Sequence, residues 1–384
     1  MIPKKQILDG ENVRAKVEAV LSAELGLTAV GYKCDGTLVI NVLVAAALQG
    51  GTLESVCQDL DLKVESNTLR AYLNKSLEVS GLREQEIALN RSLSACIPTE
   101  LPPGKCEMAL DYHDEPFYGK DAELRSYACG GQAKNGTTHF YRIASLYVMW
   151  RQVRLTVALT YVLPEDSSAA VVQRLVERMR HLNLQPSVLY MDKGFCNGAV
   201  IRYLQQQQLP ALIACPIRGK QNGLRAHCQG AHAYQIKYTF TDGTTVPVVL
   251  RPTRVPDKSG KLRTKWLACV SLGLHWSPTQ CFQRYRRRFG IESSYRQLRK
   301  VRARTTSRNP ALRFLLLGLA LVLLNCWTAL RVLATRNFEP GPIRWIPTQF
   351  QLPRFIAFLR RAIERLRNYR PHSDLHLLDQ FSIY

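Results

Sequence analysis

Through the first hundred positions of this 384-residue chain, apolar residues recur at helical spacing with little strand signal. Asn12 to Leu25 and the more hydrophobic Thr37 to Leu48 predict two helices. Thr52 to Leu60 predicts a short helix with a Thr cap, and Ser66 to Lys75 a further helix beginning at a Ser cap. Ile97-Pro-Thr-Glu-Leu-Pro-Pro-Gly104 is a Pro-rich break, and after it the texture changes. Cys106 to Tyr112, His139 to Trp150 and Arg154 to Leu163 read as three strands. An amphipathic helix, Ser167 to His181, follows, then a strand over Pro186 to Asp192, a helix over Asn197 to Leu209 and a strand over Ala211 to Pro216. Three sequential strands followed by alternating helices and strands predict an α/β fold, a mixed sheet of the ribonuclease H-like order with flanking helices.

From Gly219 to about Gln280 the helical signal disappears, and Tyr234 to Phe240, an Asp242-Gly243 turn and Thr245 to Arg251 predict a hairpin. Lys265 to Leu272 adds a strand. The expected organisation is an all-α N-terminal domain (1–96) and a first part of the core (104–218). A β-rich insertion (219–280), a core completion (281–335) and a C-terminal helical tail (336–384) follow. Within the first, the helix pair at 52–76 resembles a helix-turn-helix, with Arg70 and Lys75 on its second helix as DNA-binding candidates. The competing reading is an ordinary helical bundle.

Charge narrows the function. Lys and Arg number 52 against 30 Asp and Glu, a formal net charge of +22. So basic a chain faces a polyanion, with nucleic acid the first candidate and an anionic membrane surface the second. The unbroken apolar run from Phe314 to Leu324 is short for a membrane span and reads as a buried helix opened by Asn309-Pro310, so no membrane partner is expected. No apolar segment follows the basic residues of the first nine positions, and the eleven cysteines include no Cys-x-x-Cys pair. Both point to a cytoplasmic protein with reduced thiols. His227-Cys228 with His232 fits no closed zinc pattern.

Two predicted strands carry an aspartate at or next to their ends, Asp111 and Asp192, in a sheet where both carboxyl ends can lie side by side. Taken singly, each is a turn former or helix cap; as a pair at adjacent strand ends they call for a metal or a cationic partner. Asp114 and Glu115 nearby read as loop residues. Between Cys281 and Arg308 stand ten Lys or Arg and one acid, Glu292. On a helix, Tyr285, Arg288, Glu292 and Arg299 share one face, with Arg296 beside them. A solvated face in which Glu292 pairs with Arg288 and Arg296 is the plain alternative. One carboxylate in a dense cationic surface, after two strand-end aspartates, points instead to a metal site pressed against phosphate.

Ala-Leu-Asp111-Tyr-His-Asp-Glu-Pro-Phe-Tyr-Gly119, Met-Asp192-Lys-Gly-Phe195 and Tyr285-x2-Arg288-x3-Glu292-x6-Arg299 together resemble the insertion-sequence DDE transposases. The last element is similar to the Tyr-Arg-Glu-Lys signature of one large bacterial group, with Arg299 where that signature has Lys, and Lys300 next to it. The resemblance covers roughly residues 104 to 335. It implies that Asp111, Asp192 and Glu292 are the catalytic residues, holding two Mg²⁺ or Mn²⁺ ions per active site. Tyr285, Arg288, Arg296 and Arg299 or Lys300 would contact DNA, and Trp266 in the insertion would stack on a displaced base. It also implies cleavage and strand transfer at the terminal inverted repeats of the element, with target DNA and a second copy of the chain as partners, in a bacterial or archaeal cytoplasm at the nucleoid. The alternatives are a non-catalytic DNA-binding regulator or transposase remnant, and a ribonuclease H-like nuclease that cleaves without joining.

Overall fold

The computed structural model describes residues 8–27, 34–99, 101, 104–150, 153–219, 223–257, 259–289, 297–335 and 350–366. Five helices open the chain: α1 (Gly10–Glu24), α2 (Gly36–Gln49), α3 (Leu53–Asp59), α4 (Ser66–Ser76) and α5 (Leu82–Ala95). Asp9 and Asp35 cap the first two through their carboxylates, and Thr52 forms a reciprocal capping box with Ser55. Ser66 is not a cap: α4 begins at Ser66 itself, behind Glu65, whose side chain makes no capping bond.

The sheet strands are β1 (Gly104–Pro116), β2 (Cys129–Lys134), β3 (Thr137–Trp150), β4 (Val153–Val162), β5 (Leu184–Met191) and β6 (Ala211–Ala214), then β7 (Tyr234–Thr239), β8 (Thr245–Pro256) and β9 (Leu262–Leu272). The short α6 (Ala122–Arg125) follows β1, and α7 (Ser168–His181) and α8 (Gly198–Gln206) flank β5. All nine strands join one sheet in the order β2-β3-β1-β5-β6-β9-β8-β7, with β4 also paired to β3. The β1–β3 and β3–β4 pairs are antiparallel, and β1–β5 and β5–β6 are parallel. This is the expected ribonuclease H-like arrangement, a meander feeding parallel strands.

Two local expectations change. Strand β2 was not anticipated, because Cys-Gly-Gly-Gln-Ala-Lys lacks strand-forming side chains; it turns back into β3 through Asn135 and Gly136, both at positive φ. Asp114 and Glu115 are strand residues and not loop, because β1 runs on past Asp111 against β3, with Glu115 opposite Tyr141. The three strands between 219 and 280 extend the central sheet, with β9 hydrogen-bonded antiparallel to β6.

The N-terminal helices do not form a core of their own. Val17, Leu43, Leu73 and Leu93 share one apolar cluster with Tyr161 of β4, Phe314 and Leu319 of α10 (Pro310–Thr335), and Phe355 and Leu359 of α11 (Leu352–Leu366). Helix α10 is long and apolar enough to cross a membrane, but 83% of its most apolar stretch is buried inside the protein. Its start is as expected, with the Asn309 side chain accepting from the Ala311 and Leu312 amides. Gly318 lets α10 approach α5 closely, since a Cβ there would lie 2.5 Å from Leu89 Cδ1.

Polar residues on these helices satisfy the outer backbone of β4. Asn325 accepts from the Thr156 amide at 3.0 Å and donates to the Thr156 carbonyl at 2.7 Å. Asn90 does the same at Leu159, at 2.9 and 2.8 Å, and Glu86 accepts from the Tyr161 amide at 2.9 Å. An edge strand that would otherwise offer unpaired groups is covered in this way. Asn325→Leu leaves both Thr156 groups buried and unpaired, so a loss of about 2–4 kcal/mol is expected in chemical denaturation.

Candidate active site

Parallel pairing of β1 with β5 ends at Leu110 and Met191, so Asp111 and Asp192 are the next residues on adjacent strands at one sheet edge. Side chains alternate along strands. Asp111 therefore shares the face of Ala109, and Asp192 follows Tyr190, both of which pack against α9 (Pro278–Phe289) through Cys281, Phe282 and Tyr285. From α9, Arg288 reaches both carboxylates, with Nη2 3.0 Å from Asp111 Oδ1 and Nη1 3.8 Å from Asp192 Oδ1. Each aspartate also accepts from the next backbone amide, that of Tyr112 at 3.0 Å and of Lys193 at 2.7 Å. The two differ in exposure: the Asp111 side chain is 13% accessible and that of Asp192 41%.

The floor under this pair is aromatic. Tyr285 donates its hydroxyl to the Met191 carbonyl at 3.1 Å and meets Tyr190 edge to face. Burial raises the Tyr285 and Tyr147 hydroxyls well above the ordinary tyrosine pKa, so both are neutral. Burial also opposes the Arg288 charge, but Tyr285, Asp111 and Asp192 outweigh it and hold the guanidinium above its ordinary pKa. Two buried polar atoms in this group, Tyr147 Oη and Arg288 Nε, have no hydrogen-bond partner among the described residues.

Two and four residues beyond Asp111, on the same face of β1, His113 and Glu115 form a second charged group that the sequence reading did not single out. Glu115 is buried, paired with His113 Nε2 and with Arg302 Nη2, while Arg302 Nη1 lies 3.3 Å from His113. Burial pushes the Glu115 carboxyl up, but the hydrogen bonds from His113 and Arg302 prevail and hold it at about 2. Asp114, on the other face, takes a two-pronged bond from Arg142 at 2.7 and 3.1 Å.

Among the expected site residues, then, Asp111, Asp192, Tyr285 and Arg288 come together. Tyr285 and Arg288 are 7% and 8% exposed and directed at Met191 and the carboxylates. The reason is the amphipathic turn of α9, which sends Arg286 and Arg287 to solvent. Arg299 and Lys300 are exposed, and Glu292 and Arg296 lie outside the described residues. On α4, Arg70 is bonded to Glu54 of α3 at 2.7 Å and to Asn67, while Lys75 is exposed. Trp266 packs edge to face on Tyr234, on the side of the sheet opposite α9.

Residues 134–326 match the transposase DDE domain family, about half of the chain. The chain belongs to the DDE transposases. The family match begins after Asp111 and takes in Asp192 and the Glu292 position. No curated protein sequence matches this transposase. Its fold is similar to that in a cryo-EM structure of a piggyBac transposase synaptic complex with hairpin DNA. The TM-score is 0.55 at 11% identity, over 93% of this chain and 78% of the other. At that identity the likeness is one of fold.

The residues present suit a hard divalent cation. Asp111 and Asp192 offer oxygen donors alone, and the positive guanidinium shared between them stands where a cation would balance their charge. Among the described residues no group of three His, Cys, Asp or Glu is placed to hold a metal, His227, Cys228 and His232 included. Glu292, the third carboxylate that the resemblance implies, lies outside the described residues.

Proposed function

We propose that this transposase binds the terminal inverted repeats of its own insertion sequence and catalyses DNA cleavage and strand transfer at Asp111, Asp192 and Glu292. The observation that carries the reading is the juxtaposition of Asp111 and Asp192 at the end of the β1–β5 pairing, on the face that α9 covers with Arg288. Two carboxylates at one edge of a ribonuclease H-like sheet suit a pair of Mg²⁺ or Mn²⁺ ions, which would activate the attacking hydroxyl and stabilise the leaving 3′-oxygen. Arg288 keeps the carboxylates paired in the protein alone, and its Tyr285 partner fixes the guanidinium in place. Exposed Arg299 and Lys300, together with α4, supply charge for DNA, and joining two ends to one target calls for a homodimer. The fold relative is itself a synaptic complex, which supports the DNA-binding part of the reading.

The test incubates purified protein with DNA flanking its coding sequence in Mg²⁺, Mn²⁺ or EDTA, beside Glu292→Gln. Cuts at the repeat ends that need metal and vanish in the variant are the expected result. Tight end binding without cuts under any metal would instead identify a regulator or remnant. Cuts without any joining would identify a nuclease.

A further inference from the structure

Strand register places a second element at the catalytic edge. Met191 of β5 pairs with Ile213 of β6, which pairs with Val270 of β9, which pairs with Val248 of β8. Beyond that level β5 and β6 stop, while β8 and β9 continue together from Arg251–Leu267 to Pro256–Leu262. β7 pairs with β8 only as far as Leu250, and β6 with β9 only as far as Cys269. Residues 251–267 are thus a two-stranded ribbon with no third strand on either side among the described residues. At about 3.3 Å per residue, its tip stands roughly 25 Å beyond the level of Met191. On the far side of the carboxylates, β1 also runs on, by the six residues from Leu110 to Pro116. Asp111 and Asp192 consequently lie at the floor of a notch two strands wide, roughly 14 Å between the axes of β1 and β9, and sheet twist splays its walls.

The ribbon wall is cationic. Residues 251–265 hold six Lys or Arg and one acid, Asp257, a net of +5. Asp257 is taken up by the turn, bonding Ser259, Lys261 N and Arg263. Arg254, Lys261 and Lys265 are exposed, with no carboxylate partner among the described residues. Val249 and Cys269 face α9, so alternation sends Arg251, Arg263 and Lys265 to that same face, the one the carboxylates use. Arg251 over the Phe282 ring of α9, 5.9 Å away, agrees with this. Leu262 is 61% exposed beside these cations. Pro252 and Pro256 remove amides from the ribbon edge, which works against pairing with a strand of a second copy.

We propose that the β8–β9 ribbon is an arm that grips the phosphate backbone of duplex DNA next to the scissile position. This rests on the transposase reading above and assigns one wall of its DNA channel to Lys261 at the ribbon's turn and to Arg263 and Lys265 on the face that the carboxylates use. The occupant is a polyanion because the exposed charged side chains of this wall are cations, and its acid, Asp257, is taken up by the turn.

The experiment measures binding of the full chain to a random-sequence duplex and to a duplex with the DNA flanking the coding sequence, across a salt series. Wild type is compared with Lys261→Gln/Arg263→Gln/Lys265→Gln and with the charge-keeping Lys261→Arg/Arg263→Lys/Lys265→Arg. Each lost phosphate contact lowers the slope of log affinity against log salt by about 0.9, so the neutral variant should lose roughly 2–3 from its slope on both duplexes. The charge-keeping variant should retain the slope, and all three proteins should share one unfolding midpoint. An unchanged slope in a folded neutral variant overturns the arm while leaving the transposase reading intact. Wild-type protein that binds neither duplex overturns both. A variant that binds DNA normally but changes oligomeric state assigns the ribbon to a second copy and overturns the arm.

Discussion

Asp192→Asn is expected to slow metal-dependent cleavage at repeat ends at least about a thousandfold while leaving the protein as stable as wild type. Asp111→Asn should lose both activity and stability. Loss of a metal-binding charge removes several kcal/mol of stabilisation from the reacting phosphate in either variant. Their structural settings, however, are unequal. Asp192 is the more exposed and stands 3.8 Å from Arg288, a separation at which an accessible ion pair contributes within about 1 kcal/mol. Asp111 is nearly enclosed and makes the 3.0 Å bond to Arg288, so its neutralisation leaves a buried guanidinium poorly compensated, at a cost of about 3 kcal/mol. Urea denaturation and a cleavage assay on the same preparations separate the two. Cleavage by Asp192→Asn at the wild-type rate would remove that residue from the site. Unchanged stability in Asp111→Asn would show that Arg288 transfers its bond to Asp192.

The second large effect concerns Glu115, where Glu115→Gln is expected to cost on the order of 3 kcal/mol at neutral pH. The Glu115 carboxyl is held at about 2 against an ordinary 4.5, so its folded pKa lies below its unfolded one. A depressed carboxyl stabilises fully above the unfolded value and loses that contribution as pH falls through the folded one. The difference between wild type and variant should therefore be constant above about pH 5 and shrink between about pH 4.5 and 2. Glu86 has the opposite sign, since burial outweighs its Arg83, Tyr161 and Thr160 partners and raises its pKa. Its protonation favours the folded state on acidification, and the comparison cancels it because both proteins carry it. Denaturation midpoints in buffers from pH 7 to 2.5 check the prediction. A gap that persists at the acid end would mean that packing, and not charge, gives Glu115 its effect.

What could be read from the chain alone was set by local pattern. The antiparallel-then-parallel strand order followed from runs such as His139 to Trp150 and from caps such as Ser167, whose hydroxyl accepts from the Ala170 amide. The buried α10 helix announced itself by composition. β2 stayed hidden because Gly130 and Gly131 carry no strand preference, though Asn135-Gly136 is a hairpin signal that sits directly after it. Partners far apart in sequence could not be read at all. Nothing near Glu115 indicates that Arg302 will reach it, and nothing in Arg-Arg-Arg-Phe shows that Arg288 turns inward while its neighbours face water. The charge on 251–265 was legible, but its meaning required the register that lifts the ribbon above Met191.

The amide and carboxylate side chains that line the outer backbone of β4 have a consequence for inheritance. Asn90 and Glu86 come from the N-terminal helices and Asn325 from a helix more than two hundred residues later, yet all three complete the same strand. A relative cannot therefore acquire a new front end by exchanging residues 1–96 as a cassette, because the donated α5 would have to carry amides matched to the recipient's β4 and a hollow matched to Gly318. Change in what the front end touches is expected first at outward positions such as Asn74 and Lys75 of α4, which are exposed.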